Sequence, residues 1–80
     1  MNAPDVVTLT PTERKVLGEL ARDGATNPEI ADRLGVELET VKTHMRHILA
    51  ATGAENRTHL VCLLRDGLLK IRVETYRRAS

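Results

Sequence analysis

The chain has 80 residues, of which 41% are hydrophobic and 29% charged, and its formal net charge is +1 at pH 7. This length accommodates one small domain, and the composition is that of a folded protein, not of a disordered tail. A single cysteine excludes an internal disulfide, and no apolar run approaches the roughly 20 residues of a membrane span. One tyrosine, without phenylalanine or tryptophan, argues against binding single-stranded nucleic acid by base stacking. We therefore expect a cytoplasmic protein that needs no cofactor and has no membrane partner.

The charges are distributed unevenly along the chain. Residues 1–41 carry four basic and eight acidic side chains, whereas residues 42–80 carry eight basic and three acidic ones. A basic half in a nearly neutral chain indicates a polyanionic partner for one face of the protein.

Capping residues and glycines predict the first two helices. The first follows Thr10, which is placed to form a capping box with Glu13, and it ends at Gly24, about residues 11–23. Its apolar face consists of Val16, Leu17, Leu20 and Ala21. Thr26 or Asn27 caps the second helix, which ends at Gly35 after about two turns.

Two further helices are predicted before the C-terminal tail. The third spans about residues 38–52 and has an apolar face of Val41, Met45, Ile48 and Leu49. The fourth is capped by Asn56 and ends near Gly67. The alternating residues Leu69, Ile71 and Val73 then indicate a short extended segment or a frayed end. The resulting prediction is an all-α fold of four short helices without a sheet, with a lead at 1–8, a domain at 9–69 and a basic tail at 70–80.

The second and third helices have the spacing of a helix-turn-helix. Ala31 is small enough for the two helices to cross closely, Gly35 permits the tight turn, and Val41 points back between the helices. Any pair of packed helices in a bundle could share this spacing. The residues on the outer face of the third helix distinguish a DNA-binding helix-turn-helix from an ordinary helical hairpin.

That outer face carries cations. At about 100° per residue, with Lys42 at zero, Arg46 lies near 40°, Glu39 near 60° and Thr43 near 100°, whereas the apolar stripe spans about 240–340°. Arginine and lysine donate to guanine O6 and N7, and a threonine methyl contacts a thymine methyl, in the DNA major groove. A solvated surface is the alternative, but the helix-turn-helix favours base contacts by Lys42, Thr43 and Arg46.

Three stretches and a short closing motif carry a family resemblance. They are Leu9-Thr10-x-x-Glu13-x-x-Val16-Leu17-x-x-x-Ala21-x-x-Gly24, Thr26-Asn27-x-Glu29-Ile30-Ala31-x-x-Leu34, Thr40-Val41-Lys42-x-His44-x-x-x-Ile48-Leu49 and Asn56-Arg57-Thr58. Over about residues 8–69 the chain resembles the LuxR/FixJ/GerE-type DNA-binding domain of bacterial transcription regulators.

The resemblance implies that helix three enters the major groove and that helix four pairs two subunits. Lys42, Thr43 and Arg46 then match positions that touch bases or nearby phosphates, and Thr40 and Asn27 match positions that meet the DNA backbone. We add His44, on the flank of the same face, as a backbone contact. Two residues depart from the family pattern. Glu37 stands where serine commonly caps helix three and brings a carboxylate toward the phosphates, and Pro28 stands where lysine is frequent and removes one possible phosphate contact.

The apolar face of helix four predicts a dimer. It spreads over about 160° around the helix, wider than the roughly 100° needed to pack on a core. Its members are Leu60, Val61, Leu63 and Leu64. We expect a homodimer on a two-fold DNA site, the alternative being that the extra leucines contact only the tail through Ile71 and Val73.

The remaining chemistry-bearing side chains do not predict a catalytic or metal site. His44, His47, His59 and Cys62 have spacings that nominally resemble zinc ligands. However, His44 and His47 lie on the flanks of the cationic face, near about 200° and 140°. We therefore predict neither a metal site nor an enzyme.

The sequence thus predicts sequence-specific binding of double-stranded DNA in transcription control, with RNA polymerase or another regulator as a further partner. The alternative is a protein-interaction module that docks a partner regulator, which the acidic Glu37 and Glu39 favour slightly. The start and the tail favour a stand-alone protein over an excised C-terminal domain. The basic tail, with Lys70, Arg72, Arg77 and Arg78, is expected to add phosphate contacts.

Overall fold

The computed structural model describes residues 6–74, and within them it contains four helices and two short strands. In chain order these are β1 (Val6–Leu9), α1 (Pro11–Asp23), α2 (Asn27–Leu34), α3 (Leu38–Thr52), α4 (Arg57–Arg65) and β2 (Lys70–Val73). The all-α fold class is confirmed. Among the described residues, no helix is both long and apolar enough to cross a bilayer.

Reciprocal side-chain caps begin the first two helices. Thr10 Oγ1 accepts from the Glu13 N–H at 3.1 Å, and Glu13 Oε1 accepts from the Thr10 N–H at 3.1 Å. Thr26 and Glu29 form the same pair at 3.3 and 2.8 Å. Thr26 is therefore the cap of α2, and Asn27 is its first helical residue.

A tight turn brings α2 against α3. Gly35 ends α2 with φ at 70°, a left-handed conformation that a Cβ disfavours. The Val36 N–H then donates back to the Ala31 carbonyl at 3.0 Å. Ala31 is buried, Val41 is fully buried, and α2 and α3 are in contact, which is consistent with the packing that the helix-turn-helix spacing predicts.

The core lies among α1, α2 and α3, and α4 and β1 pack against it. Its fully buried apolar side chains include Leu9, Leu17, Leu20, Ile30, Ile48 and Leu60. The prediction that Ala21 belongs to the apolar face of α1 is wrong, since Ala21 is exposed. Ala21 lies about 140° around the helix from Val16, and this angle places it at the margin of the buried stripe.

The prediction that the domain has no sheet is also wrong. β1 and β2 pair in parallel, with Val7 opposite Ile71 and Leu9 opposite Val73. Val7 and Leu9 face the core, whereas the alternate residues of β1 are exposed. Of the two interpretations of the alternating tail, the extended segment is therefore the one that forms, and its strand partner lies more than sixty positions earlier in the chain.

An ion-pair network joins α1 to α2. The Arg33 guanidinium donates to both carboxylate oxygens of Asp23, at 3.1 and 2.9 Å, and to Glu19 Oε1 at 2.9 Å. This two-point hydrogen bond with Arg33 holds the pKa of the Asp23 carboxyl below its ordinary value. The network fixes the C-terminal half of α2 against the end of α1.

The burial of β1 predicts unequal effects of two neighbouring valines. Val7 is 2% exposed and Val6 is 44% exposed. Val7→Ala should lower the free energy of unfolding by about 2 kcal/mol, because two buried methyl groups are lost and a cavity remains. Val6→Ala is the matched control and should change it by less than about 0.5 kcal/mol. Urea unfolding followed by circular dichroism measures both, and equal effects would show that β1 does not pack on the core.

The Asp23–Arg33 pair predicts a pH dependence of stability. A carboxyl whose pKa is lowered on folding adds stability above its ordinary pKa, and that contribution disappears as the pH falls through the lowered value. Asp23→Asn should therefore destabilise the protein at pH 6 and lose that effect in acid. Urea titrations between pH 6 and pH 2.5 measure the change, with Asp32→Asn as the control for an exposed acid on α2. Parallel pH profiles for the two variants would contradict the role of the pair.

Candidate nucleic-acid interface

Helix α3 has a buried side and an exposed side, as its periodicity predicts. Its buried side chains are Val41, Met45, Ile48 and Thr52. Lys42, Thr43 and Arg46 are all exposed. The packing of α3 on α1 and α2 therefore brings these three predicted base-contacting residues together on the outer surface.

The two cations on this face have different surroundings. Lys42 Nζ lies 3.2 Å from Glu39 Oε2, one helical turn earlier, in an exposed ion pair. Arg46 forms no ion pair or hydrogen bond with any residue between positions 6 and 74. Thr40 is exposed, and its backbone N–H donates to the Glu37 carbonyl at 3.0 Å. The exposed surface of α3 thus offers a free guanidinium beside a weakly held ammonium group.

His44 turns away from this face and toward α1. Its Nδ1 is buried, has no hydrogen-bond partner among the described residues, and lies 3.9 Å from Glu13 Oε2. His47 Nδ1 lies 3.4 Å from the same oxygen. Any contact of His44 with a DNA phosphate therefore falls to Nε2, because Nδ1 faces the protein. The sequence predicted Glu13 only as part of the cap of α1 and did not predict that its carboxylate lies beside His44 and His47.

Asn27 is held by a residue of α4. Arg57 Nη1 donates to Asn27 Oδ1 at 2.8 Å, and Arg57 Nη2 donates to the Ala25 carbonyl. Because the amide oxygen is engaged, the Asn27 NH₂ group is the part of the side chain that remains for another acceptor. Sequence reasoning identified Arg57 within a motif but missed this contact, since the two residues are 30 positions apart.

The two departures from the family pattern lie on the surface. Glu37 is the N-cap of α3 and makes no side-chain capping hydrogen bond, as its length predicts. Pro28 is exposed in the first turn of α2. Neither interrupts a helix. By contrast, Arg33 pairs with Asp23 and Glu19, so two carboxylates lie against its charge.

The predicted dimer residues of α4 differ in burial. Leu60 is fully buried in the core and has no surface to offer a partner, which corrects its assignment to the interface. Val61 and Leu64 are half-buried and pack against the core. Leu63 is half-buried but is not among the side chains packed against the core, so it has the most freedom to meet a partner.

The remaining residues considered in the sequence are His59, Cys62 and the cations of the C-terminal tail. His59 Nδ1 accepts from the Glu55 N–H at 3.0 Å, and Cys62 is an exposed free thiol. From Val6 to Glu74, no three His, Cys, Asp or Glu side chains form a group that could hold a metal ion. Lys70 and Arg72 are exposed on β2, whereas Arg77 and Arg78 lie outside the described residues.

The chain matches the model of one protein family, and several curated proteins are similar to it. Residues 7–64 match the family described as bacterial regulatory proteins, luxR family. The chain is 51% identical over 53 residues to a monoamine regulon transcriptional regulator of Klebsiella aerogenes, and 37% identical over 67 residues to the CsgBAC operon transcriptional regulatory protein of Escherichia coli. It is 46% identical over 50 residues to the DNA-binding transcriptional activator DevR/DosR of Mycobacterium tuberculosis.

These matches cover most of this chain but a minor part of each relative. They span 66%, 84% and 62% of the chain, and 23%, 31% and 23% of the respective relatives. Each match therefore covers less than a third of the relative.

Proposed function

The chain belongs to the luxR family of bacterial regulatory proteins, and we propose that it binds double-stranded DNA sequence-specifically to regulate transcription. The observation that carries this proposal is the exposed face of α3, where Lys42, Thr43 and Arg46 lie together on the side opposite the buried stripe. A helix of this kind is accommodated in the major groove, which is about 12 Å wide. The family match at residues 7–64 supports the same conclusion.

In the proposed complex the side chains of α3 have separate roles. Arg46 and Lys42 donate to guanine O6 and N7, and the Thr43 methyl contacts a thymine methyl. Thr40, the NH₂ group of Asn27 and Nε2 of His44 donate to phosphates and set the orientation of α3 in the groove. Arg57 contributes indirectly, because its hydrogen bond to Oδ1 keeps the Asn27 NH₂ group available.

We further propose that two copies bind a two-fold site through α4. The surface supporting this proposal is Leu63 with the exposed parts of Val61 and Leu64. A symmetric dimer places its two recognition helices in successive major grooves on one side of the DNA, so half-sites lie about one helical turn apart.

Selection of bound duplexes from a random DNA pool tests the proposed function. With purified protein at moderate salt, we expect enrichment of one sequence motif in two symmetric halves. Binding to that motif should fall steeply as salt rises, because phosphate contacts release counterions. A folded protein that enriches no sequence would contradict DNA binding and would favour a module that docks another regulator.

Arg46→Ala should weaken binding to the selected duplex by about 1–3 kcal/mol and relax the base preference at one position of each half-site. The reason is that Arg46 has no partner within residues 6–74, so its donors are free for a base. Fluorescence anisotropy on selected and random duplexes measures the loss. Arg22→Ala, on α1 beside Glu19, is the control and should leave both affinities nearly unchanged. An equal loss on the two duplexes would place Arg46 on a phosphate.

Leu63→Ser should shift the complex toward a single bound subunit while leaving the fold intact, since Leu63 does not belong to the core cluster. Leu64→Ser is the matched comparison, and it should lower the free energy of unfolding because Leu64 packs against the core. Analytical ultracentrifugation of protein–DNA mixtures gives the stoichiometry, and urea unfolding gives the stability. Unchanged stoichiometry in Leu63→Ser would exclude this face as the interface.

A further inference from the structure

A carboxylate lies in the middle of the proposed DNA-binding face. Glu39 is in the first turn of α3, and its side chain is 80% exposed. At about 100° per residue it lies between Arg46 and Thr43 around the helix axis. A carboxylate brought into a groove bordered by phosphates is repelled by them, unless it meets a hydrogen-bond donor there.

The contact between Glu39 and Lys42 leaves hydrogen-bonding capacity on both side chains. Lys42 Nζ donates to Oε2 at 3.2 Å. Oε1 of Glu39 accepts no hydrogen bond from the residues that the structure describes. The ammonium group retains two further protons. Because the Glu39 side chain is 80% exposed and that of Lys42 is 46% exposed, DNA can rearrange this pair at little cost.

We propose that Glu39 determines base specificity by accepting a hydrogen bond from the N4 amino group of cytosine. This inference rests on the proposed function, in which α3 lies in the major groove. The cytosine amino group is a donor on the groove edge, and its guanine partner presents the acceptors O6 and N7. An acceptor on Glu39 beside donors on Lys42 therefore complements the edge of one C·G pair.

The chemistry of the carboxylate explains why this contact selects a base. An ionised carboxylate accepts hydrogen bonds but donates none, so guanine O6 and N7 and thymine O4 repel it. Adenine also presents an amino group, but its N7 acceptor lies beside that group and repels the second carboxylate oxygen, whereas cytosine has no such acceptor on its groove edge. Lys42, held beside it, is directed to the guanine of the same pair. Glu39 and Lys42 thus recognise one base pair together. The carboxylate disfavours bases to which lysine alone would also bind.

Selection from a random duplex pool with wild type, Glu39→Gln and Glu37→Gln tests this proposal. Glu37→Gln is the matched control for base preference, because it removes the same charge from the exposed N-cap of the same helix. A change in its affinity for all duplexes alike would reflect the lost charge and not base recognition. We expect wild type and Glu37→Gln to enrich the same motif, containing a C·G pair in each half-site. Glu39→Gln should lose the cytosine preference at that one position and shift toward adenine, which glutamine reads. Circular dichroism confirms that each variant is folded.

Anisotropy titrations then compare the selected duplex with one in which that C·G pair is replaced by T·A. Wild type should discriminate by at least about fivefold and Glu39→Gln by less than about twofold. If Glu39→Gln keeps the cytosine preference and binds all duplexes more tightly, the carboxylate only repels DNA and the proposal is overturned. A wild-type protein that enriches no motif overturns the proposed function as well, so the two failures are distinguishable.

Discussion

The close contact between α2 and α3 is the constraint on which the rest of the structure depends. Gly35 ends α2 in a left-handed conformation, α2 and α3 are in contact, and Ala31 on α2 and Val41 on α3 are both buried. Since Val41 is fully buried, α3 cannot rotate about its axis without exposing it and burying a neighbouring cation. The orientation of Lys42, one residue and about 100° further on, follows from that packing.

The same packing places most acidic side chains of α1 away from the exposed cations of α3. The acidic first half of the chain is engaged mainly within α1 and α2, where Asp23 and Glu19 bind Arg33. Glu13 caps α1 and lies beside the two histidines of α3. These acids therefore do not neutralise Arg46. Because Glu39 pairs with Lys42 and Arg46 has no such partner among the described residues, the face of α3 keeps an excess positive charge.

The pairing of β1 with β2 could not be predicted from local sequence signals, whereas the helices could. The boundaries of α1 and α3 agree with the prediction. The capping box of Thr10 and the left-handed glycines Gly24 and Gly53 act on backbone groups within one turn, so they can be identified from neighbouring residues. β1 is only four residues long, too short for its alternation to stand out, and it gains a hydrogen-bonding partner only when β2 lies beside it. Leu60 and Leu63 differ in the same way, since periodicity placed both on one apolar arc and only the fold decided which of them is buried.

The sequence by itself determined the helices, the turn between α2 and α3, and the side of α3 that carries Lys42, Thr43 and Arg46. Each of these depends on residues within a few positions of one another, where helical geometry alone sets the arrangement. The tertiary structure decided that Asn27 is held by Arg57, that His44 Nδ1 faces Glu13, and that β1 pairs with β2. These contacts join residues about 30 or more positions apart, and chain spacing cannot specify them because they exist only once the helices have packed.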